Sequence, residues 1–479
     1  MLYMLRRSPS VRSYTFERVV LIIIGVLLIG GVVGIALALA HYKKLQAARW
    51  ITLPDGSRAE VVGATLGDGP FNSEKPWERF ARHHLPAAWT GWIPPAVTNG
   101  GWGGLDSNTL TVFLLVKPPS AAGPGTYNWL GVTPKDDSGF CYWGGGARSS
   151  YSGPGGSSVY ELVFMNYPRR QKEFLLRFAD FKGAEIASLR VPNPASGPFP
   201  QWQPLPLPQT QTNGPVILTL DRLGESLVGI SRMRPDLGGS DYYHEVITHT
   251  HVTTADPAWI NAQATDIFFS DATGNQGQNM SRREPAWKAR ILAYHNGPGA
   301  FGPDQKLILT NLAIPAPGSY LALNQNMNLA GVGLNVRFLV GAGKLTLGNN
   351  GSVTVKPPPA GAGNNYGSGA GVDGSGRWWQ EGKPFLLIET TETTNARPDD
   401  RLQVFIHYDT VNDLAISERV FSGSAAWNRY QSVVMRQIPF NPPQGAKSFS
   451  MTVIINRPLP FEFIINPADI QVSNPPASH

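Results

Sequence analysis

The chain has 479 residues, only 15% of them charged, with 52 Gly and 41 Pro, a turn-rich composition that excludes a coiled coil, a helical bundle and a charged disordered tail. The net charge of +6 lies wholly in residues 1–49, which hold seven Lys or Arg and one Glu. The remainder is neutral and lacks the basic footprint of a nucleic-acid-binding protein.

Val19 to Ala40 is an uncharged apolar run of 22 residues, bracketed by Arg18 and by Lys43-Lys44. As a helix it spans about 33 Å, enough for a hydrocarbon core of about 30 Å, and it is longer than the apolar region of a cleaved signal peptide. The sequence therefore predicts a retained single-pass anchor over 19–40 and a cytoplasmic tail over 1–18. The rest of the chain is expected to lie outside the cytoplasm, the slight excess of arginines before the helix favouring that orientation.

Beyond the anchor the pattern is that of strands and turns. Trp50 to Leu53 and Arg58 to Val62 flank Pro54-Asp55-Gly56-Ser57, a hairpin signal. Pro76 opens a short helix whose Trp77, Phe80, Ala81 and His84 fall on one side. Strand patterns follow at 110–116, 127–132, 159–165, 174–178 and 185–191, then a Pro-rich crossover over 192–208 and a strand at 216–220. Residues 224–285 read as an irregular insertion. Strands resume at 288–294 and 306–312, and Pro315-Ala316-Pro317-Gly318 marks a boundary. A second series runs over 333–340, 344–347, 352–355, 385–390, 402–408, 414–420, 432–435, 449–455 and 461–465, broken by a Gly/Asn/Ser loop at 360–376.

The fold expected is all-β: two tandem antiparallel β-sandwich domains, 50–315 with the insertion and 316–479, after one transmembrane helix. A faint self-similarity at an offset of 229 sets 178–191 on 407–420 and hints at duplication.

Three groups of residues invite a chemical reading. His249 and His251 fall on one face of a strand with Glu245, a set that suits a divalent transition metal, although an exposed Thr/His strand alternating with Val and Ile reads the same way. Trp89, Trp92 and Trp102 lie in Gly/Pro-rich sequence able to form a glycan platform, with packing as the competing reading, and Trp378-Trp379 carries the same pair of readings. Asp271, Asn275 and Asn279 offer oxygen ligands without the spacing of a calcium loop and read as turn residues, as do Asp399 and Asp400.

Cys141, the single cysteine, excludes an internal disulfide and reads as a small buried hydrophobe. The basic stretches 169–172 and 282–283 read as solvated strand ends or loops. No nucleophile elbow, zinc-protease helix, phosphate loop or dinucleotide fingerprint is present, so no cofactor is expected beyond the metal reading. The leading expectation is a non-enzymatic, membrane-anchored component that binds an envelope protein or assists envelope assembly. The alternatives are a glycan-binding or carbohydrate-active protein using the Trp loops, and a metal-dependent enzyme at His249/His251.

Overall fold

The computed structural model describes residues 50–67, 71–74, 76–84, 97–99, 107–117, 131–142, 145–152, 157–180, 183–195, 197–228, 243–277, 280–360, 369–374, 376–391, 397, 399–408, 411–419 and 433–472. The anchor run 19–40 lies outside them. Among the described residues no helix is long and apolar enough to cross a membrane. The fold is all-β: the described residues hold one α-helix and several sheets. The described residues up to Phe199 form one compact unit and those from Pro200 onward a second.

The first unit runs β1 (Ile51–Thr52), β2 (Arg58–Leu66), β3 (Phe71–Asn72), α1 (Pro76–His84), β4 (Thr98–Asn99), β5 (Leu110–Lys117), β6 (Gly131–Lys135), β7 (Gly145–Ser152), β8 (Ser158–Phe164), β9 (Glu173–Ala179) and β10 (Glu185–Pro192). One sheet has the order β1-β2-β5-β8-β7 and another β10-β9-β6, all antiparallel. Leu110, Val112, Leu114 and Val116 alternate along β5 and share a core with Phe174, Leu176 and Phe178 of β9. The opposite face of β5 is covered too: Phe113 stacks on Phe71 with ring centroids 4.1 Å apart. That ring lies over Gly63 of β2, where a Cβ would stand 2.2 Å from it. A strand covered on both faces explains the largely apolar, fully buried run Leu-Thr-Val-Phe-Leu-Leu-Val.

The short helix forms where expected, and the reading of Arg169 is corrected. Helix α1 buries Glu78 and Ala81, whereas Phe80 is 62% exposed and stacks on His84. Glu74, just before the helix, pairs with both Arg79 and Arg82. Arg169 is no solvated strand end: it is buried, donates to the carbonyls of Asn108 and Met165 at 2.8 and 3.0 Å, and lies over the Tyr167 ring.

The second unit begins with β11 (Gln209–Asn213), β12 (Val216–Val228), β13 (Tyr243–Thr254), β14 (Gln263–Asp271) and β15 (Trp287–Tyr294). Much of the stretch that reads as irregular therefore lies in long strands; their alternation of Thr, His, Asp and apolar residues hides one buried face. The chain continues through β16 (Lys306–Ala313), β17 (Tyr320–Leu329), β18 (Val332–Val340), β19 (Gly343–Gly348), β20 (Val353–Lys356), β21 (Gly369–Asp373), β22 (Gly376–Glu381), β23 (Phe385–Thr391), β24 (Arg401–Tyr408), β25 (Val411–Arg419), β26 (Val433–Pro439) and β27 (Ser448–Asn456). It closes with β28 (Leu459–Ile465) and β29 (Gln471–Val472).

This unit holds two main cores, nested in sequence. Strands β11-β12-β13 supply Leu218, Leu220 and Val246 to a core shared with Ile291 of β15 and Phe461 and Phe463 of β28, in the sheet β14-β15-β28. After Tyr294 the chain leaves this core, builds β16 to β27, and returns as β28 to pair along β15 from Ala293↔Leu459 to Trp287↔Ile465. The excursion forms the sheets β16-β27-β24-β25 and β17-β18-β23-β26, with Leu334, Val336 and Ile388 of one packed against Val404, Ile406 and Val453 of the other. A further sheet, β20-β19-β22-β21, places Leu345 and Trp379 against Phe338, Phe385 and Leu387. Pro315 to Gly318 forms the turn between β16 and β17, inside this unit.

The free edge of β28 is closed by side chains. Gln209, Gln211 and Asn213 alternate along β11 and donate their amides to the carbonyls of Ile464, Glu462 and Pro460, which alternate along β28. An open edge is thereby satisfied without a further strand.

Six strands of each unit follow one order. The order β10-β9-β6 beside β1-β2-β5 matches the order β28-β15-β14 beside β11-β12-β13. β6 and β14 run into the same turn, Asp136-Asp-Ser-Gly-Phe140 and Asp271-Ala-Thr-Gly-Asn275, with the same backbone bonds and a bridge just beyond. The β16–β27 excursion occupies the place of the short β9–β10 turn. The similarity at offset 229 instead pairs two hairpins of different sheet order, β10-β9-β6 and β25-β24-β27.

Candidate functional site

β13 carries His249 and His251 on its outer face, both exposed, while Val246 and Val252 face the core. His251 Nδ1 lies 2.8 Å from Asp221 Oδ2, which a bulge in β12 brings alongside; the side chains are 57% and 42% exposed. Glu245 stands on β13 opposite Ser226, and its side chain lies outside the described residues. Among the described residues no three His, Cys, Asp or Glu gather as a metal ion requires. Trp89, Trp92 and Trp102 lie outside the described residues.

Asp271 is buried and fully occupied by its own turn. It accepts hydrogen bonds from Thr273 N and Oγ1 and from Asn275 N and Nδ2. Its role is to shape the turn. Cys141 is half-exposed, not buried, with Sγ 3.9 Å from the carbonyl of Gly139. It follows the Asp136 turn, whose geometry turns it out of the core.

Asp399 and Asp400 are more than turn residues. Arg290 of β15 clasps Asp399 with two nitrogens, and Tyr294 donates to Asp266 Oδ2 and lies 3.1 Å from the carbonyl of Asp399. Arg401 pairs with Asp266, and Arg457 holds the fully buried Asp400 at 2.9 and 2.8 Å. Asn456 bridges the carbonyl of His295 and Gln403 Oε1, both at 2.9 Å. Burial, then the Asp266 carboxylate, pushes the Tyr294 phenol well above its ordinary value; the hydrogen bonds to Asp399 and Asp400 raise the Arg290 and Arg457 guanidiniums. This network joins the two nested cores. Its carboxylates are all committed to partners, which suits a joint and not a proton-transfer site.

Trp379 is buried, whereas Trp378 is half-buried and lies against Gly371, where a Cβ would stand 2.8 Å from Cζ2. Lys344 Nζ sits 4.5 Å from the Trp378 ring centre.

An open depression of about 340 Å³ lies on the sheet β17-β18-β23. Register places Asn326, Asn335 and Glu389 in one row across the three strands and Asn328, Gly333 and Thr391 in the next. These residues alternate with Leu334 and Ile388, which face the core, so the rows lie on the outer face. Gly333 leaves the middle of its row without a side chain; a Cβ there would stand 3.3 Å from Thr391 Cβ. Glu389 is held 3.2 Å from Arg337. Asn335 Oδ1 is shielded from solvent and has no partner among the described residues. The sequence signal for this face is the alternation Asn326-Met-Asn328-Leu, which the strand readings passed over. Comparison with family models, curated proteins and solved structures found no match to the chain.

Proposed function

We propose that the protein is a single-pass, membrane-anchored, extracytoplasmic β-sandwich protein that acts as a non-enzymatic binding or envelope-assembly component. The observation that carries this reading is the uncharged run Val19 to Ala40, followed within ten residues by a large, charge-neutral β body. Pairs of sheets around shared cores support the sandwich reading. The outer-face depression supports a binding role, since such scaffolds present ligands with rigid strand faces.

Fractionation tests the anchor. Full-length protein is expected in the membrane fraction, resistant to alkaline carbonate, with its C-terminal body digested by protease added to intact cells. Release by carbonate, or a body protected from protease, overturns the reading. Crosslinking in its own membrane tests the binding role: a reproducible protein partner at native expression supports assembly, and a lone monomer counts against it.

A further inference from the structure

We propose that the depression over Gly333 is a subsite for a neutral, hydroxyl-rich ligand, a saccharide unit of a glycan chain. The proposal rests on the reading of the protein as a binding component and names the ligand class of that component. Asn326, Asn328 and Asn335 present carboxamides from two neighbouring strands, and Thr391 adds a hydroxyl from a third. The exposed Asn326 carboxamide sets a donor beside an acceptor, the pairing that a sugar hydroxyl, itself donor and acceptor, satisfies in both directions. Asn328 already spends its Oδ1 on the Gly331 amide at 3.1 Å, which leaves its Nδ2 turned to donation.

Asn335 Oδ1 is shielded from solvent and has no partner among the described residues, so Asn335 meets a ligand hydroxyl over Gly333 through its Nδ2. Charge selects a neutral ligand: the Glu389 carboxylate is balanced by Arg337, so the face offers a hydrogen-bonding surface without an uncompensated ion. The edge strand β17 is poorly suited to pairing with an extended peptide. A bulge between Ala322 and Gln325 breaks its ladder, and Asn324 within it holds φ at 49°.

The test uses full-length protein in lipid nanodiscs and saturation-transfer NMR with maltohexaose, cellohexaose, laminarihexaose and chitohexaose. At least one is expected to bind, and Asn335→Ala and Asn326→Ala each to weaken it about tenfold, the loss of one hydrogen bond to the ligand. Asn326 is exposed, so its variant keeps the wild-type melting temperature and guards against a folding artefact. Absence of binding by all four sugars overturns the subsite, as does binding that neither variant alters. Carbonate extraction and crosslinking of the full-length protein in its own membrane separate the two ideas. A membrane-held, partnered protein that binds no sugar removes the subsite and keeps the broader reading; a sugar-binding protein released by carbonate does the reverse.

Discussion

The fully buried carboxylate of Asp400 is gripped through two hydrogen bonds, of 2.9 and 2.8 Å, by Nε and Nη2 of Arg457, whose guanidinium also reaches the carbonyl of Ala330 at 2.9 Å. Ala330 sits in the β17–β18 turn and Arg457 just before β28, so a single side chain ties the end of the nested excursion to one of its own hairpins and to Asp400 before β24. A buried charge keeps its place only while its partner is present.

Arg457→Met is expected to destabilise the second unit by about 3–5 kcal/mol, because it strands a buried carboxylate. Asp400→Leu together with Arg457→Met should recover much of that loss, since no charge then lacks a partner. Urea unfolding of the single and double variants checks both; a double variant no better than Arg457→Met would refute the account.

The twin turns give an internal comparison. Asp271 accepts four hydrogen bonds and Asp136 three, from Ser138 N and Oγ and Phe140 N. Asp271→Ala is expected to cost about 3 kcal/mol and Asp136→Ala about 1–2 kcal/mol, the difference being the fourth hydrogen bond, from Asn275 Nδ2, that Asp271 accepts. Thermal melts of the two variants, compared transition by transition, test the order.

Alkaline stability follows from Tyr294. Its folded pKa is raised above the ordinary value of 10.0, chiefly by burial, and Tyr167 and Tyr408 are raised by burial as well. The unfolded chain loses these protons first, so their contribution is complete below about pH 10 and is lost as the pH climbs from there through the folded values. Tyr294→Phe should cost about 1–2 kcal/mol at neutral pH through the lost hydrogen bond to the Asp266 carboxylate and flatten the decline above pH 10. Denaturant midpoints measured across that range would show an unchanged slope if the phenol has no such role.

Asn324 and Asn311 hold φ of 49° and 53° within bulges of the edge strands β17 and β16. Asn tolerates this region better than residues with branched side chains do, and glycine tolerates it best. Asn324→Gly is expected to leave stability nearly unchanged, and Asn324→Val to lower it by about 1–2 kcal/mol. Equal effects of the two substitutions, read by thermal melting, would rule out backbone strain as the reason for asparagine.

Much of the strand content was legible because period-two alternation and turn chemistry act over a few residues. The β1–β2 hairpin follows from Pro-Asp-Gly-Ser, and the β9–β10 hairpin from its Asp and Gly turn. β13 and β14 fall in the stretch that reads as an irregular insertion, where only the Glu245 to His251 segment reads as a strand, because Thr, Asp and His interrupt their outer faces. The candidate site was less legible. Asn326, Asn335 and Glu389 meet only through cross-strand register, which no single strand specifies.

The sequence by itself determined an all-β chain, an apolar run long enough to span a bilayer, a neutral remainder and turns built on Asp, Asn and Gly, since each depends on local composition or spacing. Only the tertiary structure decided that β28 returns to β15 across the whole β16–β27 excursion. It likewise decided that Asp399 and Asp400 each meet a distant arginine, and that Gly333 is the floor of a depression and not merely a weak strand residue. These depend on which far-separated segments pack together, and that choice is made by the summed burial of whole sheet faces, which no local pattern encodes.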